Sequence, residues 1–362
     1  MERARHAAPS TVSRRRFVRR LAAATVGLAV ALGRGGGSAL AGPHAQAESP
    51  QRYEGRLVDA HVHLAEPIDA PDASGAGLFN LLDRDGYAWA LAFYPGGADG
   101  SGVTKSARIA TEARSRIVPL VAPGTGSRGT FLSGYASDGG YEAAMRALLR
   151  PDGAFAGIGE IPLYFPWLNT ITFQTEQMAA IFAAADAAHG IVMVHPRTRR
   201  DVNPTTRYEI EGAISRYLNA TILLHGETDI FDTVEPLFAT YPNLYFSFDF
   251  PTWSGGPGGI IWGGSVEQGG SVEQFTFSLE RAGGIDALVR RGGLLIGPRV
   301  AQHPDRTMIG TDRFLAWHFD AGVGRAVAEI TRRILGQLPT DVREPLAYQT
   351  ADRVFGPHLI GQ

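Results

Sequence analysis

Residues 177–195 read QMAAIFAAADAAHGIVMVH. The first twelve, Gln177–Ala188, are nearly all strong helix formers and predict an α-helix, and Gly190 stands where a helix C-cap belongs. The last five, Ile191–His195, form a short apolar run that ends on a polar side chain and predicts a buried strand. A helix followed at once by a strand is typical of a parallel α/β sheet.

Short apolar runs of this kind recur along the chain, separated by longer stretches with helical spacing. We predict eight strands, over Arg56–His63, Trp89–Tyr94, Ile117–Ala122, Phe155–Ile161, Ile191–His195, Thr221–His225, Leu244–Phe250 and Thr307–Asp312. The predicted helices between them are Thr104–Ser115, Gly140–Leu149, Thr175–His189, Asn203–Asn219, Glu227–Tyr241 and Ser271–Gly292. Eight such units predict a single α/β domain over residues 48–362, a closed (β/α)8 barrel of the TIM type whose reacting groups gather at the C-terminal strand ends.

A glycine-rich insertion, residues 253–274, follows the seventh predicted strand. It contains a short tandem repeat, GGSVEQ at residues 263–268 and again at 269–274. Two interpretations stay open. The repeat is a duplication in a flexible loop, or the segment is a lid over the barrel mouth that carries Trp253 and Trp262.

Composition narrows the class of function. The 362-residue chain is 44% hydrophobic and 19% charged, which is typical of a globular protein. It has no cysteine, so disulfides, thiolate metal sites and cysteine nucleophiles are excluded. After residue 47 the chain holds 26 basic and 35 acidic residues, a net charge of −9. Because nucleic acids and anionic membranes require a basic surface, we expect a small-molecule substrate and no nucleic-acid partner.

Residues 1–47 differ from the rest, with eight arginines and a single acidic residue, Glu2. Ser13-Arg14-Arg15-Arg16-Phe17 precedes an apolar run over Leu21–Leu32, which is shorter than the roughly 20 residues that span a bilayer. This order resembles a twin-arginine signal. It implies export of the folded protein by the twin-arginine machinery, to the periplasm or out of the cell. The alternatives are a disordered basic leader and a weak membrane anchor.

Polar side chains that suit a metal stand at the ends of five predicted strands. His61 and His63 are two apart on the first strand and therefore share a face, so both can point into the barrel. The others are Glu160 on the fourth strand, His195 on the fifth, His225 on the sixth and Asp312 on the eighth. Such groups are costly to bury unless they are paired or bind a metal. A shared divalent cation would account for all of them.

This ordered set resembles the amidohydrolase superfamily, in its amidohydrolase-related branch of metal-dependent hydrolases. The resemblance includes HPDRTMIGTD at residues 303–312 and the tail at residues 338–356. By position, it implies that one metal ion is held by His61, His63 and Asp312 and a second by His195 and His225.

The bridging ligand departs from the family pattern. Many members carry a carboxylated lysine on strand four, but the only lysine here, Lys105, lies before strand three. Some branches carry a glutamate there, and Glu160 fits that place, which implies a two-metal site. A one-metal site stays open, in which His195 joins the ligands, Glu160 lies behind them and His225 polarises the substrate.

The resemblance implies a divalent metal, either Zn²⁺ or Mn²⁺, as one or two ions. Bound Zn²⁺ lowers the pKa of its water to about 7, and the resulting hydroxide would attack an ester, lactone or amide carbonyl. Asp312 would take the proton and pass it to the leaving group. The alternatives are a one-metal non-oxidative decarboxylase of the same superfamily and a binding protein that keeps only the barrel. A homo-oligomer is compatible with the sequence.

Further polar residues near the strand ends are assigned by position. Three are predicted to contact the substrate, with a loop or structural role as the competing interpretation: Arg197 after strand five, and Arg313 and His318 after strand eight. Asp59 shares the face of the first-strand histidines but lies one pleat deeper, which predicts a supporting role. Asp249 ends strand seven between two phenylalanines, and we interpret it as part of the packing.

Overall fold

Eight parallel strands form one sheet in which each strand pairs with the next in sequence. They are β1 (Val58–His63), β2 (Trp89–Pro95), β3 (Ile117–Ala122), β4 (Gly157–Pro162), β5 (Ile191–His195), β6 (Thr221–Gly226), β7 (Leu244–Phe248) and β8 (Thr307–Ile309). The chain after β8 returns to β1, because the amides of Thr311 and Asp312 donate to the His61 carbonyl at 3.1 and 2.8 Å. The His63 amide donates in turn to the Arg313 carbonyl at 2.8 Å. The predicted (β/α)8 barrel is confirmed.

Helices alternate with the strands. Those in the described part of the chain are α1 (Gly75–Asp85), α2 (Ser101–Ala113), α3 (Gly140–Leu148), α4 (Glu176–Ala187), α5 (Arg207–Ile214), α6 (Thr228–Val234), α7 (Val272–Arg281), α8 (Gly284–Val300), α9 (Ala321–Leu335), α10 (Thr340–Glu344) and α11 (Thr350–Phe355). The predicted helix over 203–219 is shorter, because Thr206 and Glu209 form a capping box that starts α5. The predicted helix over 271–292 is two helices, divided at Gly283, whose φ is 88°.

This computed structural model describes residues 51–64, 74–95, 101–122, 140–150, 153–163, 171–198, 201, 203–249 and 270–360. The predicted signal, residues 1–47, lies outside these residues, and so do residues 253–269 of the glycine-rich insertion. Export and the lid therefore stay predictions. No helix within the described ranges combines the length and the apolar character needed to cross a membrane.

Apolar residues form one layer inside the barrel and another between the strands and the helices. On β2, Trp89 and Phe93 belong to the interior layer, whereas Ala90 packs against the helices. The C-terminal segment packs on the N-terminal end of the strands, where the Trp89 indole donates to Asp352 at 2.8 Å and Phe355 joins the interior cluster. The opposite end of the strands is left for polar side chains.

The register of β1 changes where its polar residues begin. Pairing with β2 shifts between Asp59 and Val62. Ala60 belongs to the interior layer, but Val62 packs on the helix side, so the alternation reverses within the strand. His61 and His63 consequently share the interior face, as predicted. The prediction that Asp59 shares their face is wrong because the register shift lies between them.

Candidate metal centre

Four ligand atoms converge at the C-terminal end of the barrel, from His61 and His63 on β1, Glu160 on β4 and Asp312 after β8. The His63 Nε2 atom lies 3.1 Å from His61 Nε2, 3.0 Å from a Glu160 oxygen and 3.1 Å from Asp312 Oδ1. The His61 Nε2 atom lies 3.3 Å from Asp312 Oδ1 and 3.6 Å from Glu160 Oε2. Ligand atoms about 2.1 Å from one zinc ion lie roughly 3.0–3.5 Å from each other, so the spacing fits a shared cation.

Irregular backbone places the two carboxylates. The pairing of β4 with β5 shifts between Ile158 and Ile161, which flank Glu160. Asp312 adopts a left-handed φ of 49°, a conformation that aspartate tolerates better than most residues. The hydrogen bond from the Asp312 amide to the His61 carbonyl holds that turn against β1. Both carboxylates are thus brought to the β1 histidines by local departures from regular strand geometry.

A third acidic residue, Asp249, joins the cluster together with His225, which lies on the other side of Glu160. Glu160 Oε1 lies 3.1 Å from His225 Nε2. Asp249, just after β7, lies 2.7 Å from His225 Nδ1 and 3.0 Å from His61 Nδ1. The flanking phenylalanines predicted a packing role for Asp249, and this prediction is wrong because its carboxylate contacts both histidine rings. Its place at a strand end, which it shares with the predicted ligands, was the signal that could have identified it.

The histidines and carboxylates of the cluster shift one another's pKa values. Burial lowers the pKa of His63, but hydrogen bonds to Asp312 and Glu160 outweigh burial and raise it to about 9. Burial likewise lowers the pKa of His225, and the charges of Asp249 and Glu160 raise it well above its usual value. Burial raises the pKa of Glu160, and His225 brings it well below the usual range. The ionised carboxylates therefore attract positive charge to this buried site.

The arrangement of protons and lone pairs fits a bound cation. The ionised carboxylate of Asp249 can only accept, so Nδ1 of His61 carries a proton, and in the neutral ring Nε2 would present a lone pair to a cation. That lone pair faces Nε2 of His63 and the oxygens of Glu160 and Asp312. Acceptor atoms at these distances repel one another unless protons or a cation lie between them. Imidazole and carboxylate ligands suit Zn²⁺ or Mn²⁺.

His195 lies beside this cluster. Its ring meets the His225 ring edge-on at a centroid distance of 4.6 Å, and its Nδ1 donates to the Pro196 carbonyl at 2.8 Å. Gly226 has a φ of 130°, and a Cβ there would lie 3.2 Å from His195 Nε2, so a glycine is needed beside this ring. In the described ranges His195 belongs to neither of the two groups of converging ligand atoms. The structure therefore assembles the other five predicted ligands and places His195 at their edge.

Two of the predicted substrate contacts are buried arginines with other partners. Arg197 donates to the carbonyls of Asn203 at 2.8 Å and Ile171 at 3.1 Å, so its guanidinium braces loops after β5 and before α4. The Arg313 guanidinium lies between the carboxylates of Asp59, at 3.4 Å, and Asp85. The structure thus corrects the assignment of Arg313 to the substrate, because its charge is already neutralised on the helix side of β1.

His318, the third predicted substrate contact, is fully buried. Its Nδ1 accepts the amide hydrogens of Phe314 at 3.0 Å and Leu315 at 3.3 Å. Burial, together with the positive charges of Arg313 and His63, lowers the pKa of His318 to about 3. The neutral ring holds the turn after β8 through these two hydrogen bonds. It has no exposed surface that a substrate could contact.

No model of a known protein family matches this chain, and no curated protein matches it. Several solved structures are similar to it. An uncharacterised TIM-barrel protein from Bordetella bronchiseptica is 13% identical, with 84% of this chain and 99% of that chain covered and a TM-score of 0.47. A zinc-bound amidohydrolase from Burkholderia multivorans is 14% identical, with 83% and 99% covered and a TM-score of 0.45. A probable 2-pyrone-4,6-dicarboxylic acid hydrolase from Acinetobacter baumannii is 10% identical, with 83% and 99% covered and a TM-score of 0.45.

Proposed function

We propose that this protein is a metal-dependent hydrolase that cleaves an ester, lactone or amide of a small molecule. The observation that supports this is the convergence of four donor atoms from His61, His63, Glu160 and Asp312 at separations of 3.0 to 3.6 Å. Such a set binds one divalent cation. A cation held there would polarise a carbonyl group and lower the pKa of water.

Glu160 extends the proposal to a second ion. One of its oxygens faces the β1 histidines and the other faces His225 at 3.1 Å. A carboxylate with its oxygens turned to two sides can bridge two cations. His195, whose ring contacts that of His225, offers a further ligand on that side. His225 and Glu160 would therefore hold the proposed second ion.

Exposure indicates which residues meet the substrate. The side chains of His63 and Asp312 are 24% and 15% exposed, whereas those of His61 and His225 are fully buried. The substrate therefore approaches over His63 and Asp312, and His225 acts as a ligand rather than as a contact for the carbonyl. Asp312 accepts a proton as water adds to the carbonyl carbon. It then donates that proton to the leaving oxygen or nitrogen as the bond to the carbonyl carbon breaks.

The first test is turnover with a matched pair of variants. Metal-loaded protein is assayed against lactones, aryl esters and dipeptides. We expect Asp312→Asn to lower kcat by about 10²- to 10⁴-fold, since it removes the proton acceptor. His189→Asn is the control, because His189 is exposed and shares the φ of 49° with Asp312. Full activity of Asp312→Asn, or an equal loss in both variants, would contradict the proposal.

A one-metal decarboxylase is the second candidate, because the compact group of four residues has the size of a site for a single ion. Four of the five distances given for its atoms lie within 3.0–3.5 Å, the fifth is 3.6 Å, and His195 lies outside the group. The metal content of the protein and its products with aromatic acids separate the two candidates. Two ions per chain and hydrolysis products support the hydrolase. One ion per chain with release of carbon dioxide supports the decarboxylase.

A further inference from the structure

Asp249 holds two buried histidines at once. Its side chain is 2% exposed, and each of its oxygens contacts a different ring. Oδ1 lies 3.0 Å from Nδ1 of His61, and Oδ2 lies 2.7 Å from Nδ1 of His225. Each oxygen thus faces a ring nitrogen that can donate, and the carboxylate accepts a hydrogen bond from both rings.

The position of these two protons decides what the other side of each ring can do. A neutral imidazole carries one ring proton and one lone pair. In the neutral rings, with the protons on Nδ1, the lone pairs of His61 and His225 are both on Nε2, the atom that a cation would contact in place of a second ring proton. These two Nε2 atoms face opposite oxygens of Glu160, at 3.6 and 3.1 Å. The Asp249 carboxylate therefore leaves Nε2 of both rings available as a ligand, on the two sides of the Glu160 carboxylate.

Asp249 could instead be a ligand itself, since its oxygens and the two Nδ1 atoms also form a compact group. His61 decides between these uses. A neutral ring has a single lone pair, and the Nε2 atom of His61 already belongs to the group with His63, Glu160 and Asp312. Its Nδ1 must then keep the proton, and the contact of 3.0 Å with Asp249 is a hydrogen bond.

We propose that Asp249 is a positioning residue that keeps both His61 and His225 protonated on Nδ1. It thereby couples the two candidate metal sites that lie on either side of Glu160, together called the centre. This rests on the proposed function, because it assigns the rings to metal binding. Hydrogen bonds from metal-bound histidines to carboxylates orient the ring and tune the ligand, and their loss costs about 10- to 100-fold in metal affinity. Here one carboxylate serves two rings, so its loss affects both sides of the centre.

The decisive variant is Asp249→Asn, which keeps the shape of the side chain but offers one acceptor oxygen and one donor NH₂ group. The amide can accept from only one of the two rings. The other ring must then accept at Nδ1 and carry its proton on Nε2, where it can no longer bind a cation. We expect the affinity for Zn²⁺, measured by competition with a chelating dye, to fall about 10- to 100-fold. Asp232→Asn, at a surface pair with Arg299, is the control and keeps the parent affinity.

A second measurement does not depend on a bound ion. In ¹⁵N-labelled parent protein, we expect one hydrogen-bonded Nδ1–H signal from His61 and one from His225, besides that of His195, whose Nδ1 donates to the Pro196 carbonyl. Asp249→Asn is expected to lose the signal of either His61 or His225 and to keep that of His195. The parent spectrum alone overturns the proposal if it shows either ring protonated only on Nε2, and so the test holds even where the variant folds poorly.

The outcomes separate this inference from the proposed function. Asp249→Asn with parent affinity for Zn²⁺ and both ring signals, but with lower thermal stability, would mean that Asp249 is only structural. Parent protein that shows both Nδ1–H signals yet binds no Zn²⁺ would contradict the metal-dependent hydrolase while leaving the protonation of the rings as proposed. A loss of affinity without the loss of a ring signal would overturn the assignment of Asp249 as a positioning residue.

Discussion

His318 lies between two aromatic rings, at centroid distances of 4.7 Å from Phe314 and 4.0 Å from Trp317. Burial and nearby positive charge lower its pKa to about 3, against about 6.5 in an unfolded chain. Below pH 6.5 His318 therefore binds a proton in the unfolded state but not in the folded state, and the free energy of unfolding falls as the pH decreases. For this residue alone, we expect a loss of about 2 kcal/mol between pH 6.5 and pH 5.

The variant His318→Asn measures this contribution. Its side-chain oxygen can replace Nδ1 as the acceptor for the amides of Phe314 and Leu315, and it does not titrate. The free energy of unfolding, obtained by urea denaturation at several pH values, is expected to decrease less steeply below pH 6.5 in the variant. Parallel curves for the two proteins would show that His318 takes up its proton without cost.

Single residues of the site differ in how far the sequence could predict them. His61, His63, Glu160 and Asp312 were predicted as ligands because each stands near the end of an apolar strand, and the structure brings them together. Arg313 could not be placed, because its partners Asp59 and Asp85 are distant in sequence and its direction depends on the turn after β8. A local sequence pattern does not show which charged residues pair across the fold.

Gly310 decides how closely the end of β8 approaches β1. A Cβ added there would lie 2.4 Å from Cβ of His61 and 3.0 Å from its amide nitrogen. Overpacking of this kind typically costs 1–3 kcal/mol, and a contact with buried backbone has little room to relax. We expect Gly310→Ala to lower the free energy of unfolding by about 3 kcal/mol, and to weaken Zn²⁺ binding because His61 must move.

Gly356→Ala is the matched control, since a Cβ at that position would meet nothing within 4 Å. We expect the control to keep the parent stability or exceed it slightly, because alanine restricts the unfolded chain. Both are measured by urea denaturation and by zinc titration. Parent stability and parent zinc affinity in Gly310→Ala would contradict the tight approach of the two strands.

Elements were predictable where a local pattern was strong. β3 and β5 match their predicted bounds because each is a short apolar run of the barrel wall. β8 ends at Ile309 rather than at Asp312, because Thr311 and Asp312 turn toward the His61 carbonyl. α1 was not predicted, since its sequence GAGLFNLLDRD begins with glycines. Packing of its buried leucines against the barrel and an N-cap, rather than helix propensity, stabilises it.

At the scale of the whole molecule, Arg313 joins three parts of the barrel. Its guanidinium pairs with Asp59 on β1 and Asp85 at the end of α1, and it lies 5.5 Å from the ring centroids of Tyr87 and Phe319. Asp59 in turn accepts from the Thr311 amide at 2.9 Å. This buried network fastens the chain after β8 to β1 and to the first helix, next to the metal ligands on β1.

Removing the charge of Arg313 should therefore destabilise the entire barrel. Arg313→Met keeps an apolar stem of similar length but leaves two carboxylates buried without their shared partner, and loss of one member of a buried pair typically costs about 3–5 kcal/mol. Arg299→Met is the control. Arg299 pairs with Asp232 near the surface, and a pair of that kind contributes about 1 kcal/mol or less. Urea denaturation at pH 7 measures both variants.

The pH dependence identifies the cause. Burial raises the pKa of Asp59, and the charge of Arg313 opposes that rise, so the pKa rises further without Arg313. A carboxyl group whose pKa is higher in the folded state costs stability above its unfolded pKa and regains it as the pH falls. The deficit of Arg313→Met relative to the parent is expected to shrink between pH 7 and pH 5. A deficit that stays constant over this range would mean that lost packing, rather than buried charge, destabilises the variant.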